Sequence, residues 1–140
     1  MMLLSVAEPL RYKGRLEVHV KAQELATYTA VILKNEKIFD PNVDKILIDR
    51  MRTCAIDIYV KSWQANKIRA ETNQINRNMR YKLQEEAILT CDELHACIGI
   101  AKKLYHLHSK RMKYWSGLIT EVRQLLQAWK ESDVSRYGQP

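Results

Sequence analysis

Apolar residues recur at three- and four-residue steps through most of this chain, and the breaks between the stepped stretches are short. That spacing places side chains along one face of an α-helix. Val18, Ala22, Leu25, Thr29 and Ile32 keep it from about Leu16 to Glu36, with Val20, Ala26, Val31 and Leu33 broadening the face. Leu47, Met51, Cys54, Ile58, Lys61, Ala65 and Ile68 keep it from about Pro41 to Ala70, with Lys61 as one polar break. Leu83, Ala87, Thr90, Leu94, Cys97, Ala101 and Leu104 repeat from about Arg77 to His106, widened by Ile88, Cys91, Ile98 and Tyr105. Met112, Trp115, Leu118, Ile119, Val122, Leu125, Leu126 and Trp129 follow from about Ser109 to Glu131. Only four glycines and three prolines punctuate the 140 residues. The expected fold is therefore all-α, an antiparallel up-down-up-down four-helix bundle over residues 16–132. Residues 1–15, with Pro9 and Gly14, are expected to be a flexible N-terminal arm, and residues 133–140 a polar C-terminal tail.

The junctions carry their own signals. In Phe39-Asp40-Pro41-Asn42, proline suits a first helical position, Asp40 can accept a backbone N–H as a cap, and Phe39 can staple the turn. Thr72, Asn73 and Asn76 are each competent to cap the third helix. Asp57 and Lys61, four apart, read as a surface pair. Gly99 weakens a helix interior, and a close helix–helix approach is the usual reason for one there. Trp115 and Trp129 share one stripe; they belong either to a subunit interface or to the two ends of the bundle's own core.

Several chemistries lack their residues. Cys54, Cys91 and Cys97 are too few for a disulfide framework and read as small buried hydrophobes in a reducing cytoplasm. No apolar run approaches a membrane span, and MMLLSVAEPL lacks the basic start of a signal peptide. His106 and His108 form an H-x-H pair and Asp92 with His95 an Asp-x-x-His, but the paired Glu-x-x-His motifs of a di-metal bundle are absent. There is no phosphate-binding glycine loop, no G-x-S-x-G and no CxxC. Neither an enzyme, a metal site nor a bound cofactor is expected.

Charge is more telling. The net charge is +7, which favours acidic partners. One basic cluster surrounds the second junction, with Arg69, Arg77, Arg80 and Lys82; another surrounds the third, with Lys102, Lys103, Lys110, Arg111 and Lys113. No acidic residue falls between Lys102 and Lys113, and Tyr105, Tyr114 and Trp115 are interleaved there. These residues can pair with phosphates or acidic side chains, and the aromatic rings can stack on bases. The plainer reading of either cluster is a solvated lysine-rich face. In an up-down bundle the two junctions lie at opposite ends, a geometry suited to a long polyanion. On this reading, reversing Arg77 and Arg80 to Glu abolishes partner binding and leaves helicity intact.

The run RMRTCAIDIYVKSWQANK (50–67), the stretch LQEEAILTCDELHACIGIAKKLY (83–105) and the closing GLITEVRQLLQAWKES (117–132) resemble the accessory variability determinant proteins of diversity-generating retroelements. The resemblance covers about Leu16 to Ser132 and lies in helix layout and scattered residues. A related group, the bundle proteins encoded in intervening sequences of bacterial 23S ribosomal RNA genes, carries an Asn-Ile-Ala-Glu-Gly-like stretch where this chain has Ser62-Trp63-Gln64-Ala65-Asn66. The first resemblance implies a ring-like homopentamer of four-helix protomers with a basic surface. It also implies a non-catalytic partner of a reverse transcriptase, its template RNA and the cDNA copied from it. The second implies a ribosomal-RNA-associated protein without that partner.

Overall fold

The computed structural model describes residues 8–140, with side chains from residue 15 onward. They form four α-helices and no strand: α1 (Glu8–Lys34), α2 (Pro41–Lys67), α3 (Gln74–Tyr105) and α4 (Ser109–Tyr137). The arrangement is all-helical and consistent with a four-helix bundle. α2 packs mainly on α1 and α3, and α4 on α3 and α1. Ion pairs Arg50–Glu93 and Lys61–Glu86 join α2 to α3, while Asp92–Arg123 and Glu85–Lys130 join α3 to α4. In both sets residue numbers rise along one helix as they fall along the other.

Both ends of the chain are more helical than the sequence reading expects. Residues 8–15 belong to α1, because a proline in the first helical turn forfeits only an N–H that would lack a helical partner anyway. The rest of the expected arm, residues 1–7, lies outside the described residues. At the other end, α4 runs six residues past Glu131 to Tyr137. Asp133 is buried there, and Tyr81 donates its hydroxyl proton toward the carbonyls of Asp133 (3.2 Å) and Gly138 (2.8 Å).

The turn chemistry follows the local sequence with one addition. Asp40 accepts from Asn42 N at 2.9 Å and caps α2. Asp44 then leaves the helical region (φ −162°, ψ 90°) and accepts from Leu47 N at 3.0 Å, so the helix is kinked and capped twice. Of the three candidate caps before α3, Asn73 is the one used, accepting from Asn76 N at 2.8 Å. The H-x-H pair is also turn material. His106 ends α3 in the left-handed region (φ 51°), and His108 caps α4 by accepting from Lys110 N at 3.3 Å.

The core joins the inner rows of all four helices. Val18, Ala22, Leu25, Thr29 and Ile32 of α1 are buried, as are Leu47, Met51, Cys54, Ile58 and Ala65 of α2. Phe39 is fully buried against the rings of Tyr105 and Trp115. Trp115 is fully buried and donates its indole N–H to Thr29 Oγ1 at 2.9 Å. Trp129 is 6% exposed. The tryptophans therefore fill the bundle's own interior and are not available to a subunit interface. Val20 and Val31, counted among the broadening residues of α1, face outward instead. Lys61 crosses to Glu86 at 3.1 Å instead of pairing with Asp57 along its own helix.

Candidate polyanion-binding surface

The first basic cluster divides between the fold and the surface. Arg80, which the sequence offers as a contact residue, is 5% exposed. Its guanidinium forms a two-pronged pair with Asp133, Nε to Oδ2 at 2.7 Å and Nη2 to Oδ1 at 3.1 Å. Its remaining Nη1 donates to Ile68 O at 2.9 Å, and the guanidinium carbon sits 5.1 Å from the Trp129 ring centroid. Gln84 adds a donor to Asp133 Oδ2 at 2.7 Å. Each of the three guanidinium nitrogens of Arg80 thus donates within the protein, and the buried side chain is withdrawn from the candidate surface. Arg77 is half-buried, holding Ala70 O at 3.3 Å and Gln74 Oε1 at 2.9 Å, which pins the turn. Arg69 and Lys82 remain exposed.

The second cluster stays on the surface and spreads over several faces. Lys102, Lys103, Lys110 and Lys113 are exposed, and none forms an ion pair among the described residues. Arg111 is half-buried on the α1 side. Burial pushes the Tyr28 phenol up, and the neighbouring Arg111 charge opposes that shift. Lys102 and Lys113 come together: they line one open groove between α3 and α4, of about 370 Å³. His95, Ser109 and Ser116 share that groove with the exposed Gly99 and the buried Ile98 and Met112. His95 Nε2 lies 3.3 Å from Ser116 O.

The sequence reading missed the groove. Its signal is a pair of matching polar rows, 95–99–102 on α3 and 109–113–116 on α4, both stepping by four then three on either side of the turn. Gly99 also differs from expectation: no atom lies within 4 Å of where a Cβ would stand, so no close helix approach explains it.

A second surface feature is apolar. Ile46, Ile56, Val60 and Trp63 of α2 are exposed, with Ile46 at 82%, and so are Ile75, Met79, Leu89 and Ile100 of α3. Ile56, Val60 and Trp63 keep a four–three spacing and make an apolar row outside the core on α2, while Ile75 and Met79 stand one turn apart on α3. Lys67 Nζ sits 4.7 Å from the Trp63 ring centroid. Exposed apolar side chains thus gather on α2 and α3, and on α1 at Leu16, Val20 and Val31, more than on α4.

The cysteines are packing residues: burial is the first cause pushing the Cys54 and Cys91 thiols up to about 12. Among the described residues, no group of three or more His, Cys, Asp or Glu side chains is placed to hold a metal ion. No helix of the described residues is long and apolar enough to cross a membrane. Comparison with protein-family models, with curated proteins and with solved structures finds no match to this chain.

Proposed function

We propose that this chain is a non-catalytic accessory protein of a diversity-generating retroelement, as its sequence resemblance implies. It binds the element's reverse transcriptase and template RNA through a basic surface and supports mutagenic cDNA synthesis in the cytoplasm. Its fold is then an antiparallel up-down-up-down bundle that associates into a ring-like homopentamer. The observation that carries the reading is the set of exposed lysines around the third junction, which form no ion pair among the described residues. Such charges release counterions when they neutralise phosphates. The exposed apolar run Ile56, Val60 and Trp63 of α2 supports self-association, because apolar surface gathered on one face outside a core marks contact sites.

Two measurements test this reading. Light scattering on a sizing column should give a mass near five times 16.5 kDa; a monomer would sink the ring. Co-expression with a retroelement reverse transcriptase should yield a complex that loosens as salt rises. Salt-sensitive RNA binding with no affinity for the polymerase would instead point to a ribosomal-RNA-associated bundle.

A further inference from the structure

Gly99 occupies a helix interior, where glycine is unfavourable, with nothing packed against it. What its missing side chain leaves is open space in the lining of the α3–α4 groove. Lys102 rises from one wall and Lys113 from the other. Two cations from different helices thus converge on one trough, no acidic side chain lines it, and neither lysine is neutralised by an ion pair among the described residues. Ser109 adds a hydroxyl donor beside them, and Ile98 and Met112 supply an apolar base.

We propose that this groove seats a phosphodiester of single-stranded RNA, with the Lys102 and Lys113 ammonium groups on the phosphate oxygens and the ribose against Ile98 and Met112. The assignment rests on the RNA-binding reading above and gives it a location. An ammonium is a compact point charge with rotatable donors, suited to a phosphate approached from two sides. The groove is open to solvent, so a strand can enter and leave it. Gly99 keeps the groove clear: a long side chain there intrudes on the space beside Ile98 and Met112.

The test uses the full chain and a short, labelled single-stranded RNA, titrated by fluorescence anisotropy across a salt series. Lys102→Gln with Lys113→Gln should weaken binding about tenfold and flatten the log–log salt slope by at least about 0.7, the share of one single-strand phosphate. Gly99→Leu plugs the groove without changing charge and should weaken binding to a similar degree, with its helicity checked by circular dichroism. Lys37→Gln with Lys45→Gln removes equal charge elsewhere and should change affinity less than threefold. If Gly99→Leu binds like the unmodified chain, or the two lysine pairs lose equally, the groove is not the seat, while RNA binding as such stands. No RNA binding by the unmodified chain at low salt overturns both. Loss confined to anionic phospholipid vesicles assigns the groove to a lipid headgroup and overturns the RNA assignment.

Discussion

Where α2 turns into α3, two guanidinium groups are consumed by the fold; where α3 turns into α4, ammonium groups stand in solvent. Arg77 and Arg80 spend their donors on backbone carbonyls, a glutamine and the buried Asp133. Lys102, Lys103, Lys110 and Lys113 meet no carboxylate among the described residues. About 30 Å of helix separates Lys82 from Lys102, at 1.5 Å per residue. The chemistry of the two cations explains the division. A guanidinium is planar, weakly hydrated and able to fork onto a carboxylate, so it can be buried in a pair, whereas an ammonium keeps its water. Basic clusters of similar density therefore do different work: one locks an end of the bundle and the other leaves it open to a partner.

The locked end should break hardest. Asp133→Ala leaves the Arg80 charge buried without its counter-ion, and losing one partner of such a pair costs about 3–5 kcal/mol. Urea unfolding should show that loss. Arg80→Met with Asp133→Leu should recover most of it, since apolar replacement of a whole buried pair is often neutral. This inverts the expectation from sequence: Arg77→Glu with Arg80→Glu should unfold the bundle end instead of removing binding from an intact fold. A stable, helical double Glu variant would show that Arg80 does not anchor this end.

The same end should also sense acid. Both ring nitrogens of His19 are buried and neither makes a well-formed hydrogen bond among the described residues, and the ring meets Trp129 edge-on at 5.7 Å. Burial is the main cause lowering its pKa from 6.5, and the Arg15 and Arg80 charges act in the same direction. The Asn66 amide favours the charged ring, yet burial prevails. The folded state thus binds the proton less readily than the unfolded chain. The stability contributed by neutral His19 is complete above about pH 6.5 and declines as pH falls below it, by at most about 1.4 kcal/mol per pH unit. His19→Phe should flatten the stability profile between pH 7 and pH 5. An unchanged slope would place the acid sensitivity elsewhere.

What the sequence discloses follows the range of the interactions involved. The four helices are legible because the three–four spacing is local, and the caps Asp40 and Asn73 because each acts within three residues. The fate of Arg80 is not legible, because its carboxylate lies 53 residues away, in a stretch that reads as a polar tail. Trp115 and Trp129 are ambiguous for the same reason: what covers them comes from Thr29, Phe39 and Arg80 on other elements. For the candidate site, local spacing places Lys102 and Lys113 on either side of a turn. Only packing brings them into one groove and leaves Lys103 and Arg111 on other faces.

The open end should respond least, and in the opposite direction. Gly99→Ala places a methyl group where no atom lies within 4 Å, in a backbone that is helical and has no positive φ. The substitution therefore gains helix propensity without a clash, and stability should rise by about 1 kcal/mol. Thermal unfolding of the variant beside the parent chain reads the gain directly. At the locked end a change at Arg80 or Asp133 removes something the fold uses, so the sign there is negative. A positive sign at Gly99 identifies a position where the fold gives up stability to keep space. If Gly99→Ala is instead destabilising, the helix needs that glycine for its own geometry, and the open groove is a by-product of packing.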